Sequence, residues 1–196
     1  MVSRSFIVLA VGSLASAAAV TTTFVPADSA ASATTTTSAA SGTETLNPGY
    51  SFIRAVVDPN FHKYLRSEVK GTASDAVLGE PSDAAQFQIT DGQLIQDAAG
   101  TPLYANVQTF EDSDGKKLKV TWKETKDTLG TFTFSGDTTE WSSPTVTRAA
   151  TNAWLVCEDE DANKDVYLNL GPYAYNTPPG CVDQTIHAYT GSTATA

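Results

Sequence analysis

From residue 46 onward the chain consists of short apolar runs separated by turn residues, and within the runs apolar and polar positions alternate with a period of two rather than 3.6. That period belongs to strands. Residues 64–69 show it plainly: Tyr64, Arg66 and Glu68 alternate with Leu65, Ser67 and Val69, the pattern of a strand buried on one face. Residues 50–57 predict an earlier strand, closed by the turn sequence Asp58-Pro59-Asn60. The sharpest local signal runs from Gln86 to Gln96, two alternating stretches about Asp91-Gly92. A two-residue loop of this type selects a type I′ turn, because both central residues must reach positive φ and the turn then matches the twist of the paired strands. Further strands are predicted over 103–107, 118–123, 131–135, 153–156, 166–170 and 182–188, with Asp114-Gly115, Gly130 and Gly136-Asp137 between them. The Ala-rich residues 71–85, interrupted by Gly79 and Pro81, predict a loop with one helical turn. Together these features predict an all-β fold, a single antiparallel β-sandwich or barrel of about nine to ten short strands.

The two ends read differently. Residues 1–19 carry one positive charge at Arg4, an apolar run over 6–14 and then small residues, the pattern of a secretory signal peptide. That run falls well short of the roughly 20 residues a helix needs to span a bilayer. Residues 21–45 contain 13 Ser or Thr in 25 positions and almost no large apolar groups. Such a segment cannot bury enough surface to offset its ordering entropy, so 20–47 is predicted to be a disordered spacer. After export it is also an O-glycan acceptor by composition. Without the signal and the polar stretch about 145 to 150 residues remain, which suits one core, and the β-domain is expected at 48–190. Residues 191–196, small and polar, are expected to form a flexible tail without a lipid-anchor signal.

Charge narrows the class of partner. The chain has 12 Lys or Arg against 22 Asp or Glu, a net charge of -10; losing Arg4 with the signal leaves 11 against 22, or -11. This argues against nucleic acid and against an anionic membrane surface, both of which need clustered cations. Lys116, Lys117, Lys119, Lys123 and Lys126 do cluster, but Asp114, Glu124 and Asp127 interleave with them, as on a solvated strand face.

Cys157 and Cys181 are the only cysteines, and in an exported chain an even pair reads as one disulfide. It closes a loop of about 25 residues and stabilises by about 3 to 4 kcal/mol in the chain-entropy model. With both cysteines used, nucleophilic catalysis would need His62 or His187 as base, and neither sits in a catalytic motif. A carboxylate pair of the glycosidase kind needs only to meet in space and stays open at this level. Asp159, Asp161, Asn163 and Asp165 place oxygen side chains at alternate positions, as a calcium loop does. However, Lys164 stands where Gly is expected and Leu170 where a bidentate Glu would be, so a solvated acidic turn is the plainer reading. Trp122 and Trp154 lie in apolar strands and read as core. The loop carrying Tyr173 and Tyr175 is the candidate binding surface.

The order of signal, Ser/Thr-rich spacer, Phe87-Gln-Ile-Thr-Asp-Gly-Gln-Leu94 hairpin, Trp154-Leu-Val-Cys157, a strand at Val166-Tyr-Leu and Pro178-Pro-Gly-Cys181 resembles the fungal PhiA-type cell wall proteins. The resemblance spans 86–188. It implies a secreted, non-catalytic wall component linked to asexual development, with wall polysaccharide as partner and no cofactor. The alternatives are an extracellular polysaccharide-acting enzyme using a carboxylate pair, or a secreted carbohydrate-binding or effector module using the Tyr173 and Tyr175 loop.

Overall fold

A computed structural model describes residues 41–196. The described chain is all-β. Its strands are β1 Ser41–Thr45, β2 Phe52–Ala55, β3 Tyr64–Ser67, β4 Ala76–Gly79, β5 Phe87–Thr90, β6 Gln93–Gln96, β7 Leu103–Val107, β8 Lys117–Lys123, β9 Thr131–Ser135, β10 Thr138–Ser142, β11 Trp154–Glu158, β12 Lys164–Asn169, β13 Cys181–Gln184, β14 Ile186–Tyr189 and β15 Thr193–Thr195. A single 3-10 turn at Pro81–Asp83 is the helical element among the described residues. Every pairing is antiparallel.

Seven of these strands follow one another around a ring. β2 pairs β3, β3 pairs β4, β4 pairs the first half of β12, β12 pairs β11, and β11 pairs β13. β13 runs on through Thr185 into β14, which returns to β2 with Ile186 opposite Ala55. One strand bent at a single residue thus closes the ring. Its interior follows from the pleat: Ile53, Ala55, Leu65, Ala76, Leu78, Trp154, Val156, Val166, Leu168 and Ile186 form one buried cluster. The second half of β12 pairs β8 instead, and from there β7, β6 and β5 extend a wing; β10 and β9 extend another from β14. The wings meet where Phe132 N–H donates to the Gly92 carbonyl at 2.8 Å. Ser51 and Phe87 exchange backbone hydrogen bonds of 2.8 and 2.7 Å, tying β5 back to the start of β2.

The predicted hairpin is present as β5–β6, with Asp91 at φ 51° and Gly92 at φ 76°, both in the region a type I′ turn requires. The predicted helical turn is the one at Pro81–Asp83. Four strands were not visible in the pattern. β4 sits inside the Ala-rich stretch expected to be a loop, and β10 buries Thr139 and Trp141 in a run whose threonines hide the alternation. The other two correct the expected boundaries. The signal at 1–19 and residues 20–40 of the spacer lie outside the described residues. The spacer's last residues instead form β1, and the expected tail at 191–196 forms β15, which pairs with it. The reason is a buried phenol. Tyr64 donates its hydroxyl to the Thr195 carbonyl at 2.8 Å and accepts from Thr195 N–H at 3.0 Å, while Ala194 is fully buried among Phe52, Tyr64 and Ala84.

All three tryptophans are buried. Trp154 donates its indole N–H to the Thr139 carbonyl at 3.0 Å and Trp122 to the Arg66 carbonyl at 3.2 Å, so each joins the ring to a neighbouring strand. Trp141 lies flat on the Gly130 backbone, where an added Cβ would sit 2.4 Å from two ring carbons. Gly130→Ala is therefore expected to lower stability by about 1 to 3 kcal/mol through overpacking. Equilibrium urea unfolding checks this, and an unchanged midpoint would contradict the packing described.

Candidate functional site

Residues 170–180 leave β12 and return as β13, and their geometry is set by one side chain at each root. Asn169 is buried; its Oδ1 accepts from Gly171 N–H at 2.7 Å and its amide donates to Asp183 Oδ1 at 2.7 Å. Asp183 Oδ2 in turn accepts from the Thr177 hydroxyl. A single carboxylate therefore joins both ends of the loop, one oxygen to each. The loop turns through Ala174, Asn176 and Gly180, all at positive φ. Between it and the Gly115–Lys116 turn lies a cleft of about 580 Å³, lined among others by Lys116, Asn169, Tyr175, Asn176, Thr177 and Pro178. Tyr175 is 65% exposed and lines the cleft; Tyr173, 44% exposed, is outside the lining. The two tyrosines singled out from sequence thus divide, and the residues that shape the site, Asn169, Thr177 and Asp183, were not signalled.

Arg148, a residue the sequence gave no reason to notice, holds the backbone of Asn169. Its guanidinium donates to the carbonyls of Asn169 at 3.1 Å, Trp141 at 2.8 Å, Thr151 at 3.1 Å and Ala153. Burial pulls its pKa down to about 10. Four backbone acceptors, rather than a carboxylate, are what make that burial tolerable.

Beside the cleft, the outer face of the sheet gathers charge. β8 buries Leu118, Val120 and Trp122, so Lys117 and Lys119 project from the other side; β12 likewise turns Asp165, Tyr167 and Asn169 outward. Of the five lysines expected on a solvated face, Lys116, Lys123 and Lys126 are exposed, while Lys117 and Lys119 are drawn onto the sheet. Lys119 Nζ lies 2.5 Å from Asp75 and 2.8 Å from the buried Asp165. Burial opposes its charge, but hydrogen bonds to Asp165 and Asp75 outweigh that and hold its pKa above the usual lysine range. Lys117 Nζ sits 4.1 Å above the centre of the Tyr167 ring. Burial pushes the Tyr167 hydroxyl up.

The disulfide is formed, Cys157 to Cys181, joining directly opposed residues of β11 and β13. The four calcium candidates do not converge. Asp159 Oδ1 accepts from Asp161 N–H at 2.9 Å and Asn163 N–H at 2.8 Å, and its Oδ2 accepts from the Asn163 amide at 3.0 Å. The bond from Asn163 lowers the Asp159 pKa. Asn163 offers its nitrogen, not its oxygen, and Asp165 belongs to a strand and faces Lys119. Among the described residues no group of three or more His, Cys, Asp or Glu is arranged to hold a metal ion. The histidines are also apart in role: His187 Nδ1 is 3.2 Å from Asp137, holding that carboxyl below its usual range, while His62 stacks on Phe61 at 3.9 Å with its Nδ1 buried and unpartnered.

Removing the cation from the Asp75–Lys119–Asp165 cluster tests its role. Lys119→Met is expected to cost about 1.5 to 3 kcal/mol near neutral pH, because Asp165 is left buried without its charged donor. Since the folded pKa of Lys119 lies above the ordinary 10.5, the stabilisation is complete below pH 10 and is lost only as pH rises through the folded value. Melting curves of both proteins from pH 7 to pH 11 measure it; a difference that vanishes already at pH 8 would contradict it.

Residues 55–188 match a family described as a domain of unknown function (DUF7907). No curated protein and no solved structure matches the chain.

Proposed function

The chain belongs to the DUF7907 family, and we propose that it acts as a secreted, non-catalytic component of the fungal cell wall that holds wall polysaccharide in the cleft at residues 170–180. The observation that carries this reading is Tyr175, an exposed aromatic ring on a cleft otherwise lined by asparagine, threonine, proline, glycine, one leucine and one lysine. A sugar ring stacks on such a face with its C–H groups and gives its hydroxyls to polar groups at the rim. The lining includes no Asp or Glu, so the cleft offers binding without the two carboxylates that glycoside hydrolysis uses. Asp75 and Asp165, which do approach one another, are bridged by Lys119 and committed to it. The signal pattern, the Ser/Thr-rich tract and the resemblance to PhiA-type wall proteins support export and wall retention.

The test is retention. The mature chain, mixed with insoluble fungal wall polysaccharide and fractionated from culture, is expected in the wall-bound fraction. Tyr175→Ala is expected to weaken binding about five- to tenfold, the loss of one stacking contact. A protein found wholly in the medium, with wild type and Tyr175→Ala equally unretained, would overturn the reading.

A further inference from the structure

Resting on that reading of the cleft, we propose that Cys157–Cys181 is a reducible clasp controlling the loop that lines it, and that Lys117 is the residue that makes the clasp reducible. Lys117 Nζ lies 3.5 Å from Cys157 Sγ and 3.7 Å from Cys181 Sγ. The Tyr167 ring beneath holds it there, and among the described residues Lys117 makes no ion pair. The other charged or titratable groups facing the pair are accounted for. On β12, Asp165 stands opposite Cys157 but is bound to Lys119 of β8, and Tyr167 carries Lys117. On β13, Asp183 is bonded to Asn169 and Thr177; on β11, Glu158 pairs with Lys164. Lys117 is thus the uncommitted charge nearest the sulfurs, and a cation in that position stabilises a thiolate.

The step runs as follows. Cys157 is buried and Cys181 only half-buried, so a thiolate of an external low-molecular-weight thiol attacks Cys181 Sγ. The S–S bond breaks, a mixed disulfide forms on Cys181, and the electron pair leaves on Cys157 as a thiolate beside Lys117. A second thiolate of the reductant attacks its own sulfur in the mixed disulfide and releases Cys181, which takes a proton. Two reductant thiols are oxidised to one disulfide and one protein disulfide is reduced. The consequence falls on the cleft, because Cys181 is the root of the loop that includes Thr177 and Pro178. With the link cut, the loop is tied near that root by hydrogen bonds alone: the Thr177–Asp183 bond, Glu158 N–H to the Gly180 carbonyl at 3.1 Å, and the strand pairing of Cys181 with Cys157.

The mature chain is equilibrated in mixtures of reduced and oxidised glutathione, its thiols are trapped by alkylation, and the reduced fraction is read by mass. Wild type is expected to reach half-reduction at a ratio of squared reduced to oxidised glutathione about tenfold lower than Lys117→Met. Lys117→Arg, which keeps the charge, and Lys123→Met, which removes a charge at the far end of β8, are expected to stay with wild type. Equal half-reduction points for wild type and Lys117→Met, or a Lys123→Met shift as large, would overturn the role of Lys117. Hydrogen exchange on the oxidised and reduced wild type then reads the clasp: amides of residues 171–181 are expected to exchange faster on reduction while those of β2 to β4 do not, and unchanged exchange would overturn it. Neither measurement contains a ligand, so failure to bind polysaccharide would remove the cleft's proposed function and leave these results standing.

Discussion

The structure depends on β11 being paired along both edges. Trp154, Leu155, Val156 and Cys157 face Leu168, Tyr167, Val166 and Asp165 on one side and Gln184, Asp183, Val182 and Cys181 on the other. Without the second of these pairings β13 would have no partner strand, and the bend at Thr185 that carries the chain into β14 and back to β2 would have nothing to bend from. Closure in turn gives Trp154 and Val156 a filled interior to pack into, and burial of that interior is the main favourable term in a domain of this size. The ring is nearly closed, β13 having β11 as its one paired neighbour, and the wings end at β5 and β9, where the Phe132 to Gly92 bond brings the two together.

The same pairing determines what the outer face presents. Side chains that alternate with the buried ones on β8, β11, β12 and β13 place Lys117, Lys119, Asp165, Tyr167, the disulfide and Asp183 on one surface. The cleft is built at its end by Asn169 and the loop that follows. Electrostatics and shape are therefore consequences of register: a shift by one residue would exchange Asp165 for Val166 and dissolve both the charge cluster and the anchor of the loop. Arg148 reinforces this from below, since four carbonyls from four separate positions converge on one rigid guanidinium.

What could be read from sequence was whatever local chemistry specifies. Asp91-Gly92 was legible because the turn type demands those residues, and the cysteine pair because two cysteines have only each other as partner. β4 and β10 were not, because alanine and threonine carry little hydrophobic contrast even where, as at Ala76 and Thr139, they are fully buried. β1 and β15 were hidden for another reason: what holds β15 is a hydroxyl on Tyr64, 131 positions away. The calcium-like spacing was already broken at Lys164 and Leu170, and Asp165 alternates with its neighbours as a strand residue. Likewise Tyr173 and Tyr175 look equivalent in sequence, and only the fold separates the ring that lines the cleft from the one outside it.

The central claim is that β11, β12 and β13 form one cooperative unit that closes the ring. Native-state hydrogen exchange of the oxidised protein across increasing denaturant tests it most directly. The account expects the amides of β11, β12 and β13 to exchange only through global unfolding, with a shared opening free energy, while β1, β15 and the β9–β10 hairpin open at lower cost. Exchange of the β13 amides through a separate, low-energy opening, with β11 and β12 still protected, would contradict it.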